Sequence, residues 1–207
     1  MMKTVFIPAK IKSSIGKSGI LNISKKLPKS IAIAYSIQYK DAAFEIKKAL
    51  SKNHQITSCI QVLGCSRPKF RKDTEAILLI TDGKFHGVSL AYEAKLPVFI
   101  LNSQTFKMIP KKEAEALEKR KKSAYLKFLN AENVGILVST KPGQQNLLKA
   151  FELKRKLSRK KTYIFLGDNV DASEFENFMI DSWVNTACPR LDMSSGLMIN
   201  MNDIPLR

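Results

Sequence analysis

Strand-length apolar runs alternate with helix-period segments twice along this chain, and a long stretch without Gly or Pro separates the two series. That alternation selects a mostly parallel sheet covered by helices, because a parallel crossover needs a connection long enough to hold a helix. Residues 31–37 (IAIAYSI) form an apolar run suited to a buried strand. Residues 41–50 place Ala42, Ile46, Ala49 and Leu50 at helical spacing, with Lys47 and Lys48 facing out. Residues 55–63, 76–81 and 97–101 read as strands and 88–95 as a helix. A short strand at 4–8 and a Gly/Ser/Lys loop at 13–18 come before them. Residues 111–129, rich in Lys, Glu, Ala and Leu, read as one long helix with a solvated charged face. The alternation then restarts. A strand at 134–139 (VGILVS) leads to a helix at 143–157, with Leu147, Leu148, Phe151 and Leu157 on its apolar face. A strand at 163–166, a short helix at 172–178 and a strand at 182–186 follow, and the tail 196–207 reads as a last extended piece. The expected fold class is therefore α/β: two repeated βαβ-type units with mostly parallel sheets, joined by a long helix. The expected division is 1–108, a connecting helix at 109–130, and 131–207.

Composition narrows the function classes. Hydrophobic residues at 44% suffice for a core and exclude a disordered chain. The net charge of +17, from 35 Lys and Arg against 18 Asp and Glu, fits either a polyanionic partner or a general solubility device. The longest apolar runs are strand-length, so no membrane partner is expected. The N-terminus lacks the long apolar core and cleavage site of a signal peptide, which points to a cytoplasmic protein. Three cysteines, an odd count, argue against a disulfide framework there.

Two of those cysteines follow strands, in Leu63-Gly64-Cys65-Ser66 and Thr186-Ala187-Cys188-Pro189. Open α/β sheets gather ligands beyond the carboxyl ends of their strands. Two cysteines at the same place in two similar halves therefore suit a ligand site, although free cysteine is also often buried at such ends. No C-x-x-C occurs, which excludes a zinc ribbon and a thioredoxin-like pair, and the C-x-x-x-C-x-x-C of ordinary radical S-adenosylmethionine enzymes is missing. On a strand running straight through, Cys59 and Cys65 would lie roughly 20 Å apart, so Cys59 reads as a core residue. Walker A and G-x-G-x-x-G motifs are also missing. The turn 81–87, with Asp82, Gly83 and His86, fits either an anion site at a helix start or an ordinary Asp-Gly turn. His86 is an acid/base candidate by type, or a turn cap. The segment 139–144 (STKPGQ), with Ser139, Lys141, Gly143 and Gln144, gathers several donors at a helix start and reads as an anion site.

Four of these segments carry a resemblance. QVLGC (61–65), TDGKFH (81–86), GILVSTKPGQ (135–144) and WVNTACPRLDM (183–193), in this order and spacing, resemble the diphthamide synthase family, the 2-(3-amino-3-carboxypropyl)histidine synthases. Ser36-Ile37-Gln38 resembles the family's strand-ending glutamine, and the likeness covers nearly the whole chain. It implies a triplicated α/β fold in which each unit gives one cysteine to a four-iron four-sulfur (4Fe-4S) cluster. The match is to the second and third units, with Cys65 and Cys188 as metal ligands and the first unit outside these 207 residues. It implies S-adenosyl-L-methionine as substrate, with cofactor contacts expected at Gln38, Asp82, Gly83, His86, Ser139, Lys141, Gly143 and Gln144. It also implies transfer of a 3-amino-3-carboxypropyl radical to a histidine of translation elongation factor 2. Three thiolates leave one iron open. With two in hand, the expectation is a short form or subunit whose homo- or hetero-oligomeric partner supplies the missing unit. Two other readings stay open: a non-catalytic partner subunit of that synthase, and a basic RNA- or ribosome-associated module.

Overall fold

The computed structural model describes residues 17–63, 66–169, 172–189, 191 and 198–205, together with positions 5, 7, 9 and 11; the side chains of residues 17, 18, 172, 173 and 176 are outside that description. The chain divides into two units, Met1–Ala116 and Leu117–Arg207. The first runs α1 (Lys17–Ser24), β1 (Ser30–Tyr35), α2 (Lys40–Leu50), β2 (Gln55–Gln61), β3 (Ala76–Ile80), α3 (Lys84–Ala94), β4 (Val98–Leu101) and β5 (Phe106–Met108), and ends inside α4 (Lys111–Asn130). Its sheet has the order β2-β1-β3-β4-β5, parallel except for β5. Strands β1 and β3 are buried along their whole length, as continuous apolar runs at the centre of a parallel sheet should be. On one face Ile31, Ile33, Tyr35, Leu78 and Ile80 pack against Ala43, Ile46 and Leu50 of α2.

The second unit holds β6 (Asn133–Ser139), α5 (Leu147–Lys156), β7 (Lys161–Gly167), a 3-10 turn (Ala172–Asn177), β8 (Ser182–Asn185) and β9 (Met198–Asn200). All its pairings are parallel, in the order β7-β6-β8-β9. Trp183 fills the core of one face, among Phe165, Phe175 and Phe178. Its indole lies on Gly135, where a Cβ would come within 2.4 Å of the ring, so only glycine fits. Asp181 ties the starts of β6 and β8 by accepting the Glu132 and Asn133 N–H groups, which hold its carboxyl below the usual range. The α/β class and the parallel sheets are those expected, and α4 buries only Leu117, Ala124 and Phe128, leaving a charged face to solvent. Among the described residues, no helix is long and apolar enough to cross a membrane.

Several boundaries differ from expectation. The strand at 4–8 lies largely outside the described residues. Helix α1 occupies the end of the expected 13–18 loop; Ile20 and Ile23 pack it on the core, a tertiary gain that outweighs the poor propensity of KSGILNIS. The run 31–37 stops at Tyr35, and Ile37–Tyr39 forms a 3-10 turn. Strand β2 ends at Gln61, so no straight strand joins Cys59 to residue 65. Helix α3 starts at Lys84 instead of 88, and β5 was not expected. Helix α5 starts at Leu147 instead of Gly143, and its buried residues are Ala150 and Leu153; Leu148 is 80% exposed and Phe151 50%. The tail has only the three-residue strand β9 before a 3-10 turn. The two cysteines also do not follow equivalent strands. In sheets of the same order, residue 65 comes after β2, the strand at the edge, whereas Cys188 comes after β8, the counterpart of β3.

Candidate functional site

In the first unit, β1 and β3 end side by side, with Tyr35 paired to Ile80. Each end turns sharply into a helical segment. After β1, Gln38 sits in the 3-10 turn, half-buried, its carbonyl accepting the Ile11 N–H at 3.0 Å. After β3, the buried Thr81 turns the chain: its Oγ1 accepts the Gly83 N–H at 3.3 Å, and Gly83 is the N-cap of α3. Asp82 is exposed at that turn. The His86 ring lies over Gly83, where a Cβ would be 2.9 Å from Nδ1, and edge-on to Phe85. Tyr39 joins the two strand ends. It is buried, and its phenol is pushed up to about 12 by burial, by its hydrogen bond to the Asp82 carboxylate and by that negative charge. The structure thus gathers Gln38, Asp82, Gly83 and His86 at one end of one sheet, around a tyrosine that sequence reasoning passed over.

In the second unit, β6 ends at Ser139, whose buried Oγ accepts the Lys141 N–H at 3.2 Å. Residues 141–144 form a turn closed by Gln144 N–H on the Lys141 carbonyl at 3.0 Å, with Gly143 in the left-handed region at φ 78°. The turn precedes α5 and is not part of it, so its residues are not the helix start that the sequence suggested. Lys141 reaches across to Asn169, Nζ to Oδ1 2.7 Å, at the end of the neighbouring β7. Asn146, the N-cap of α5, donates to the Thr186 carbonyl at 2.7 Å and so ties this turn to the cysteine loop.

That loop leaves the end of β8. The Thr186 hydroxyl donates to the Leu137 carbonyl at 2.7 Å. Asn185 Oδ1 accepts the Ala187 N–H at 2.9 Å, and its Nδ2 donates to the Cys188 carbonyl at 2.8 Å and to Asn200 Oδ1 at 2.7 Å. Cys188 itself is half-buried. The other expected metal ligand, Cys65, lies outside the described residues. Cys59 packs beside the core of the first unit, where burial pushes its thiol up and the charge of Lys47 opposes that rise. A desolvated thiol of this kind is a poor thiolate donor, whereas Cys188 stands in a braced loop at the carboxyl end of a parallel strand. Cys188 is thus the described cysteine whose sulfur could serve as a single metal ligand; among the described residues no group of three or more His, Cys, Asp or Glu side chains could hold a metal ion. Asn146, Asn185 and Asn200 were also missed; the signal they gave was an asparagine next to a buried apolar run.

Tandem parallel α/β units with a braced cysteine loop beyond a strand end define a class of proteins that gather a ligand at the carboxyl edge of the sheet. The particular family follows from comparison. The model described as "Putative diphthamide synthesis protein" matches residues 1–197, and the chain belongs to that family. It is 28% identical over 205 residues to the 2-(3-amino-3-carboxypropyl)histidine synthase of Pyrococcus horikoshii, covering 92% of this chain and 59% of that protein. The enzyme of the same name from Methanocaldococcus jannaschii is 29% identical over 204 residues, covering 92% and 56%. Subunit 1 of the Gallus gallus synthase is 25% identical over 182 residues, covering 81% and 44%. Dph2 from Pyrococcus horikoshii, also solved with a 4Fe-4S cluster, superposes with a TM-score of 0.73 at 25% identity, covering 90% of this chain and 59% of that one. The chain thus spans less than three fifths of the length of these relatives.

Proposed function

We propose that this chain acts in diphthamide biosynthesis, in the transfer of a 3-amino-3-carboxypropyl group from S-adenosylmethionine to a histidine of translation elongation factor 2. The braced Cys188 loop, in a chain matched along 1–197 by this family, carries the reading. Cys188 and Cys65 would be thiolate ligands of a 4Fe-4S cluster, and the cluster reported in the Pyrococcus horikoshii relative supports that choice. A third thiolate, needed to leave a single iron open, comes from a further polypeptide segment or a partner chain. Relatives named as subunit 1 of a synthase favour a partner.

When bound, such a cluster supplies the electron that cleaves the sulfonium carbon–sulfur bond. The residues of this chain bind and orient. Asp82, fixed by Tyr39, offers a carboxylate to an ammonium group of the substrate, with Gln38, Gly83 and His86 beside it. The turn of Ser139, Lys141, Gly143 and Gln144 offers the Lys141 ammonium to a carboxylate. A cytoplasmic location goes with an elongation-factor substrate.

The test is anaerobic reconstitution of the chain, alone and with candidate partners, followed by iron and sulfide analysis. Cys65→Ala and Cys188→Ala should each lose bound iron while keeping native circular dichroism, and Cys59→Ala should keep it. Modification of elongation factor 2 by the loaded protein, read by mass spectrometry, should require S-adenosylmethionine, a reductant and the source of the third thiolate. Full iron retention in Cys188→Ala would overturn the reading.

A further inference from the structure

Strands β8 and β9 end in register on an asparagine each, Asn185 opposite Asn200. Both are buried, at 2% and 4% exposed. A buried amide is costly unless its donors and acceptor are used, and a strand pair of this kind would be filled more cheaply by Val or Ile. Asn185 has all its polar atoms engaged, and the bonds point to one place. Oδ1 takes the Ala187 N–H, and Nδ2 takes the Cys188 carbonyl and Asn200 Oδ1. Only this amide orientation suits those partners, because a backbone N–H needs the oxygen and two oxygens need the nitrogen. Asn200 Nδ2 in turn donates to the Pro189 carbonyl at a long 3.4 Å. The Cys188 carbonyl also accepts the Leu191 N–H at 3.1 Å, so it is held from both sides.

We infer that Asn185, backed by Asn200, is a positioning residue that locks the Cys188 loop in the geometry for cluster ligation; the inference rests on the reading of Cys188 as a cluster ligand. A loop preset in this way loses little conformational freedom on metal binding. The hydrogen bonds that orient a metal ligand from behind also tune how firmly the metal is held. Asn185 is the specific element, since its amide bonds the chain on both sides of the Cys188 Cα. Asn200 orients Asn185.

The geometry predicts an asymmetry between two like substitutions. Asn185→Asp keeps the acceptor for Ala187 but removes the donors to the Cys188 carbonyl and to Asn200 Oδ1. Asn200→Asp keeps the acceptor for Asn185, leaves the Asn185 donor on the Cys188 carbonyl in place, and removes the long bond to Pro189. Both put one carboxylate into the same buried pair, so the charge is matched and the difference reports the lock. In anaerobically loaded protein, Asn185→Asp should release iron to a chelator about tenfold faster than wild type, the scale of one lost hydrogen bond to a buried group, while Asn200→Asp stays within about threefold. The cluster's midpoint potential, read by electron paramagnetic resonance, should move in Asn185→Asp and hold in Asn200→Asp. Leu50→Ala, a destabilising change in the core of the first unit, should move neither. Equal behaviour of the two Asp variants would overturn the proposal. Should Asn185→Asp not fold, hydrogen exchange in the wild-type protein without metal decides. The Ala187 and Leu191 amides should be protected by at least about a hundredfold, and unprotected exchange there overturns the lock. Iron retained by Cys188→Ala is a different failure: it removes the cluster reading and the proposal falls with it.

Discussion

Tyr39 shows how one side chain can set another's chemistry. Its phenol is buried and hydrogen-bonded to Asp82, so the neutral form is favoured and the group titrates near 12, against an ordinary value of 10.0. Because the folded value is raised, its contribution to stability is complete below pH 10.0, falls as pH rises from there, and is gone above about 12. Spectrophotometric titration should show one of the five tyrosines ionising near 12, and Tyr39→Phe should remove that phase. On the proposed function the variant should also free the Asp82 carboxylate and weaken S-adenosylmethionine binding by about tenfold, the scale of one charge-assisted hydrogen bond; unchanged binding by calorimetry would take Asp82 out of the proposed site. Cys188 and Asp82 stand out in the sequence as candidates because the residues around them carry motifs. Tyr39, Asn185 and Asn200 do not, because Tyr39 meets Asp82 43 positions on and Asn185 meets Asn200 15 positions on, pairings that the fold alone brings together.

Helix α5 illustrates where periodicity succeeds and where it misleads. The apolar residues of 147–157 do mark a helix, and Leu147 and Leu157 pack on the core as expected, but Leu148 and Phe151 do not. The helix starts after Asn146, which is held by its bond to the Thr186 carbonyl, and Ala150 and Leu153 turn toward the sheet and Leu148 toward solvent. The positive φ of Gly143 keeps the helix from starting earlier. Leu153→Ala should therefore cost about 2–5 kcal/mol in urea denaturation, while Leu148→Ala should stay within about 0.5 kcal/mol. A reversed order would show that α5 packs by its other face. The central strands β1, β3 and β6 were easier to read, because burial on both faces demands an unbroken apolar run and little else in a sequence looks like one. Strands β5 and β9, three residues each, are too short to leave a period.

At the scale of the whole chain, the net charge of +17 is a field, and its first effect is on the protein itself. Like charges on a compact surface repel, and salt screens them beyond about 10 Å at 0.1 M. Raising sodium chloride from low to physiological strength should lift the thermal midpoint by about 2–4 °C, equivalent to roughly 1 kcal/mol for a protein of this size. A midpoint that falls with salt would mean that ion pairs such as Lys84–Glu113 and Lys121–Asp203 outweigh the repulsion. The charge and the sheet class were open to inspection from the start. The order of strands was not, since the same alternation of segments is compatible with several orders. That order carries a historical consequence. Sheets running β2-β1-β3-β4 and β7-β6-β8-β9 are copies in plan, yet the chain reaches residue 65 from the second strand of its copy and Cys188 from the third. If the two descend from one ancestral unit, the duplication did not hand down the sulfur. Under that descent each copy acquired its thiol separately, on a scaffold already in place.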